Sequence, residues 1–174
     1  MSAFSVHLED TKATLDLGRA MAEALLAASP YQNILLLGEL GAGKTTLARG
    51  LVRALPGGDK ALVSSPSFNI LNLYPTEPET AHFDFYRLEN LAPDEFSLEI
   101  LHAGDRVVLV EWPEFLGSLF RPESFVLLKW QPGQAGKAGR DLEISGSNDT
   151  ALAYLRVLRA GLIKKGRFLK SFKA

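Results

Sequence analysis

The chain has 174 residues, 47% hydrophobic and 22% charged, with a formal net charge of −1 and no cysteine. That size and balance describe one soluble globular domain with a single sizeable core, and the absence of cysteine excludes disulfides and thiolate metal sites. Met1 to Asp10 lack the basic start and apolar stretch of a signal peptide, and no apolar run approaches the roughly 20 residues of a membrane helix, so a cytoplasmic protein without a membrane partner is expected.

The elements read in chain order. Phe4, Val6 and Leu8 alternate with polar or small residues and predict a short strand. Asp10 or Thr11 caps the next helix, whose Leu17, Met21 and Leu25 recur every four residues, and Pro30 ends it. Asn33 to Leu37 is a short apolar run leading into glycines, the pattern of a strand buried on both faces. Lys44 to Leu55 follows as a helix, broken by Pro56-Gly57-Gly58-Asp59. Beyond the loop Ser64 to Ser67, the runs Phe68–Tyr74 and Ala81–Leu88 predict a hairpin with a longer turn. Pro93–Leu101 reads as a helix and Arg106–Glu111 as a second buried strand. Phe125–Trp130 and Asp141–Ile144 are further strands, joined by a glycine-rich segment from Pro132 to Gly139. Ala151–Ile163 is an amphipathic helix. Together these give an α/β fold: a single domain over residues 1–160, its mixed sheet carrying a β-hairpin and flanked by helices. A basic tail, 161–174, follows.

The tail continues a charge asymmetry. Arg156, Arg159, Lys164, Lys165, Arg167, Lys170 and Lys173 are seven basic residues with no acid after Asp149, which leaves 12 basic and 20 acidic residues elsewhere, a balance of −8. Such a tail suits an anionic partner such as RNA, or is simply a solvated helix end.

The sharpest motif is Gly38-Glu39-Leu40-Gly41-Ala42-Gly43-Lys44-Thr45, a full match to G-x-x-x-x-G-K-[ST] between a predicted strand and a predicted helix. Glycines let successive N–H groups close on phosphate as an anion nest, backed by the positive end of the helix. Lys44 is expected on the β- and γ-phosphates and the Thr45 hydroxyl on Mg²⁺. Gly38, Glu39, Leu40, Gly41, Ala42, Gly43, Lys44, Thr45 and Thr46 are the expected nucleotide-binding residues. A P-loop also needs an acid at the end of a neighbouring buried strand. Val107-Val108-Leu109-Val110-Glu111 supplies Glu111, and Asp84 is the second acid. In Ala81 to Tyr86, alternation puts His82, Asp84 and Tyr86 on one face, either a polar active-site wall or a solvated sheet face. His82 reads as a hydrogen-bonded structural residue, since Mg²⁺ prefers oxygen.

Four segments in order resemble the TsaE (YjeE) family, small ATPases of bacterial tRNA threonylcarbamoyladenosine biosynthesis. They are Leu15-Asp16-Leu17-Gly18, the loop Gly38 to Thr46, Ser65-Pro66-Ser67-Phe68, and His82-Phe83-Asp84-Phe85-Tyr86-Arg87-Leu88 leading to Val110-Glu111-Trp112-Pro113. Ser67 stands where threonine is common in that family. The resemblance implies a P-loop fold that binds ATP and Mg²⁺, with Thr45 and Glu111 as metal ligands and Lys44, Asp84 and Glu111 as catalytic residues. It implies a switch role for the 65–68 loop near the γ-phosphate and work with the TsaB–TsaD transferase pair on tRNA. Arg87 and Arg140 are the arginines to consider beside the phosphates. Two other classes carry different signatures. A small-molecule or nucleotide kinase would close an arginine-rich lid, yet Trp112–Gly139 holds only Arg121. A GTP-gated binding module would carry Asn-Lys-x-Asp, which the chain lacks.

Overall fold

The computed structural model describes residues 3–28, 31–67, 69–88, 93–132 and 138–165. Seven strands form one mixed sheet: β1 (Ala3–Leu8), β2 (Asn33–Leu37), β3 (Leu71–Tyr74), β4 (Thr80–Asp84), β5 (Val107–Glu111), β6 (Phe125–Trp130) and β7 (Arg140–Gly146). Their order is β1-β7-β6-β2-β5-β4-β3. The four central strands β6, β2, β5 and β4 run parallel, and antiparallel β7, β1 and β3 complete the two sides. Strands β4 and β5 are buried at every residue, as a parallel strand covered on both faces must be.

Among the described residues four α-helices cover the sheet: α1 (Thr11–Ala27), α2 (Lys44–Val52), α3 (Glu95–His102) and α4 (Asp149–Lys164). Asp10 caps α1, its carboxylate accepting from the Ala13 N–H at 2.7 Å. Leu17, Met21 and Leu25 are buried, as their spacing demands. On one face α1, α2 and α4 bury a core that includes Leu17, Met21, Leu51, Tyr154 and Leu158. On the other, Phe83, Phe85, Val108, Val110, Ile100 and Leu101 form a second apolar cluster. Helices α1 and α2 touch backbone to backbone. A Cβ on Gly18 would stand 2.3 Å from the Leu47 carbonyl oxygen, and one on Gly50 2.3 Å from that of Leu15. Only glycine permits that approach, and it fixes how α2, which carries the P-loop, sits against the sheet.

Several boundaries differ from the sequence expectation: β3 begins at Leu71, α3 covers Glu95–His102 and β7 covers Arg140–Gly146. Helix α2 stops at Val52, although Leu55 remains buried beyond it. The strand expected over Ala81–Leu88 ends at Asp84 and gives way to a 3-10 turn at Tyr86–Leu88, so Tyr86 leaves the strand face it was expected to share. Helix α4 runs through Lys164 with Leu162 buried in the core, so 161–164 belong to packed helix rather than to a tail. Pro30, Phe68, much of the glycine-rich link (133–137) and the tail from 166 on, with Arg167, Lys170 and Lys173, lie outside the described residues. No helix among the described residues is long and apolar enough to cross a membrane.

Candidate active site

Register brings the site together at the C-terminal edge of the parallel strands. Asp84 on β4 is level with Glu111 on β5, and Glu111 with Leu36 on β2, two residues before the loop. The ladder extends one step further: the Phe85 N–H donates to the Glu111 carbonyl at 3.1 Å and the Trp112 N–H to the Leu36 carbonyl at 3.3 Å. In open parallel sheets this edge is where ligands bind.

Residues 38–43 arch from β2 into α2. Gly43 precedes the first helical residue with φ at +111° and no side-chain cap, and Gly41 has φ of +76°. A side chain at either position would be strained, whereas glycine adopts this backbone freely, the conformation an anion nest needs. A Cβ on Gly38 would approach the Trp130 Cβ to 2.8 Å, so the loop is seated directly on β6.

Lys44 is 4% exposed, and its Nζ donates to the carbonyls of Gly38 at 2.6 Å and Glu39 at 2.9 Å. The ammonium also lies 3.8 Å from the centre of the Trp112 ring, a cation–π contact. Burial lowers the Lys44 pKa below the ordinary 10.5, opposed by the carboxylates of Glu111, Asp84 and Glu114. Trp112 takes a left-handed conformation, φ +59°, that turns its indole over the lysine. Tyr86 at 5.0 Å and Phe115 at 5.9 Å between ring centres hold it there.

The facing wall is acidic. Thr45 Oγ1 donates to Glu111 Oε1 at 2.8 Å, and His82 Nε2 is 2.9 Å from the same oxygen. Asp84 Oδ1 accepts from the Tyr86 N–H at 3.0 Å, and Oδ2 accepts from the Ser65 hydroxyl. Ser65 Oγ accepts in turn from the Ser67 N–H at 3.3 Å, tying the loop before β3 to the wall. His82 and Asp84 are 0% and 3% exposed, which excludes the solvated sheet face.

Between loop and wall lies a cavity of about 310 Å³ lined by Leu40 to Thr46, Ser65, Ser67, Asp84, Tyr86, Arg87, Glu111 and Trp112. Gly38 and Glu39 do not line it; their carbonyls hold Lys44 from behind. Arg140 stands apart from it, at a second cavity of about 250 Å³ beyond the loop, with Leu8 to Thr11, Thr14 and Gly139. Thr46 borders both cavities. Among the described residues no three His, Cys, Asp or Glu side chains cluster as an all-protein metal cage. A hydroxyl and a carboxylate 2.8 Å apart fit Mg²⁺, which keeps waters and takes further oxygens from phosphate. Two members of the site had no separate signal in the sequence. Glu114, whose carboxyl is pushed up mainly by burial, acts on Lys44 through charge. Trp130, under the loop, reads in sequence only as a strand residue.

A helix N-terminus opening on a glycine loop, at the C-terminal edge of a parallel sheet, makes this a P-loop α/β protein. The sequence model of the family described as threonylcarbamoyl adenosine biosynthesis protein TsaE matches residues 8–141. A tRNA threonylcarbamoyladenosine biosynthesis protein TsaE from Nostoc sp. is 36% identical over 151 residues, 83% of this chain and 87% of its own. That of Haemophilus influenzae is 33% identical over 132 residues, 74% of this chain and 82% of its own. The crystal structure of Bacillus subtilis YdiB has the same fold, with a TM-score of 0.70 at 22% identity over 94% of this chain and 97% of that one. The chain belongs to the TsaE family of tRNA threonylcarbamoyladenosine biosynthesis.

Proposed function

We propose that the protein is a Mg²⁺-dependent ATPase of the cytoplasm that supports the TsaB–TsaD threonylcarbamoyltransferase pair acting on tRNA. The observation that carries the reading is the convergence of Lys44, Thr45 and Glu111, with Asp84 adjacent, on one cavity beside a loop whose Gly41 and Gly43 take positive φ. Leu40 to Thr46 would hold the triphosphate. Lys44 would exchange the carbonyls of Gly38 and Glu39 for phosphate oxygens. Thr45 and Glu111 would hold Mg²⁺, which supplies neutralisation of the negative charge on the β- and γ-phosphates.

Asp84 is the group suited to orient the attacking water. It is buried, and its Ser65 and Tyr86 partners fix its carboxylate in place. Because Ser65 is bonded to Asp84, movement of the 65–67 loop would alter the position of the acid, the coupling a switch segment needs. Lys44 and Arg87 are the cations among the described lining residues, and Arg87 is exposed at the mouth. A site of this kind turns over slowly until a partner completes its charge. The reading is supported by membership of the tRNA threonylcarbamoyladenosine biosynthesis family.

The test is phosphate release from ATP and from GTP, with and without the transferase pair. ATP turnover that rises with the pair is expected. No release from ATP under any condition would overturn the ATPase, and turnover that requires a small-molecule acceptor would make it a kinase.

A further inference from the structure

His82 is a buried imidazole at the centre of β4, and the ATPase scheme gives it no task. Its Nε2 lies 2.9 Å from Glu111 Oε1, with His82 0% and Glu111 2% exposed. An ionised carboxylate only accepts, so this bond puts the imidazole hydrogen on Nε2. The other nitrogen, Nδ1, is buried with no hydrogen-bond partner among the described residues, so within them the ring's one hydrogen bond is to Glu111. The ring cannot swing away. His82 sits between Asn72 on β3 and Leu109 on β5 in the sheet register, with the Tyr74 ring 6.3 Å away.

Glu111 Oε1 therefore accepts from two donors of different kinds, Thr45 Oγ1 at 2.8 Å and His82 Nε2 at 2.9 Å. The Thr45 hydroxyl is the group that must turn to a metal in the loaded site. His82 then remains the donor fixing the Glu111 carboxylate, while Oε2 makes no hydrogen bond among the described residues. Outer partners that orient a ligating carboxylate typically change metal affinity by about 10- to 100-fold when removed.

We infer that His82 is a positioning residue for the metal-binding carboxylate: it holds Glu111 by Oε1 so that this side chain meets the cation while Thr45 is released to join it. The inference rests on the proposed Mg²⁺–nucleotide site. His82 touches neither nucleotide nor metal, and acts only through Glu111.

The test compares wild type, His82→Leu and His82→Gln, the glutamine placing an amide N–H near the Nε2 position. ATP binding is titrated by calorimetry without metal and at increasing Mg²⁺, and Mn²⁺ binding to the ATP-loaded protein is followed by electron paramagnetic resonance. Metal-free ATP affinity should match in all three. His82→Leu should need about tenfold more metal, and His82→Gln should stay within about threefold of wild type. Equal metal dependence in His82→Leu and wild type would overturn the inference, as would a glutamine variant no better than leucine. An equal loss of metal-free binding would overturn it too, reducing His82 to packing. If His82→Leu does not fold, His82→Asn replaces it, since its amide falls short of Glu111 and should show the tenfold defect. A wild type whose ATP binding ignores metal would defeat the proposed function as well as the inference. Normal metal dependence in the wild type confines a negative result to His82.

Discussion

Gly38 to Thr45 meet a ligand chiefly through the backbone of one continuous loop, whereas the facing wall gathers Ser65, His82, Asp84 and Glu111 from three separated segments. The loop depends on left-handed glycines and a helix N-terminus, so its side chains other than Lys44 and Thr45 matter little to its shape. The wall depends on strand register: a slip of β4 by one residue against β5 would take Asp84 away from Glu111 and turn His82 to the other face. The loop is thus local and tolerant at its variable positions, and the wall is non-local and intolerant. The same contrast separates their tasks. In the proposed function the loop supplies binding, and the wall supplies metal placement and water orientation.

Substitutions can break or sharpen this contrast, beginning with the largest effect. Lys44→Ala removes the only ammonium among the described residues lining the cavity, and charge-assisted hydrogen bonds of the kind it would make to phosphate are worth about 1.5–3 kcal/mol each. ATP affinity should fall by about 100-fold or more in calorimetry, with and without Mg²⁺, and wild-type affinity would mean that the loop is not the site. Gly50→Ala probes the seating of the loop rather than its chemistry. Its Cβ would stand 2.3 Å from the Leu15 carbonyl oxygen. Denaturant unfolding should show a loss of about 1–3 kcal/mol, as overpacking does, while the folded variant keeps most of its ATP affinity. Glu111→Gln should raise the Mg²⁺ needed for half-maximal ATP binding by about tenfold and leave metal-free binding near wild type. Equal losses with and without metal would blur the division between loop and wall.

Two smaller effects concern charge. Burial lowers the Lys44 pKa beneath 10.5. Between that lowered value and 10.5 the unfolded chain carries a proton that the folded chain has released, so this group makes folding more favourable as pH rises through the window. Phosphate binding needs the charged form, so ATP affinity should fall several-fold as pH rises into the same window, with proton uptake on binding. Lys44→Arg, which keeps its charge, should flatten that slope. Truncation after Lys165 removes Arg167, Lys170 and Lys173 but spares the buried Leu162. ATP affinity should be unchanged and association with the transferase pair weaker, the difference being greatest at low salt. Unchanged association at low salt in a pull-down would leave the tail a solvated end.

The contrast also explains what the sequence disclosed. A contiguous motif carries its geometry in its spacing, so Gly38 to Thr45 and the helix starting at Lys44 were legible residue by residue. Strand β2, over Asn33–Leu37, and β6, over Phe125–Trp130, were legible because apolar runs bounded by turn residues have few alternatives. The wall was legible only as a list of acids. Periodicity ran β4 on to Leu88, because nothing in Phe85-Tyr86-Arg87 announces the 3-10 turn that the Asp84 carboxylate helps form by accepting the Tyr86 N–H. His82 was expected to be hydrogen-bonded, but its partner Glu111, 29 positions away, depends on a register that one sequence does not state. Trp112 over Lys44 likewise needs a positive φ at a tryptophan, which no propensity foretells.

The central claim is that loop and wall make one hydrolytic site, and single-turnover phosphate release from ATP-saturated protein tests it most directly. Wild type and Asp84→Asn would be compared in the presence of the transferase pair. The asparagine keeps an oxygen for the Tyr86 N–H and adds little volume, so ATP affinity and thermal stability should be retained, while release slows by about 100-fold or more, the scale of losing a general base. Release at the wild-type rate by Asp84→Asn would contradict the account and return β4 to a purely structural role.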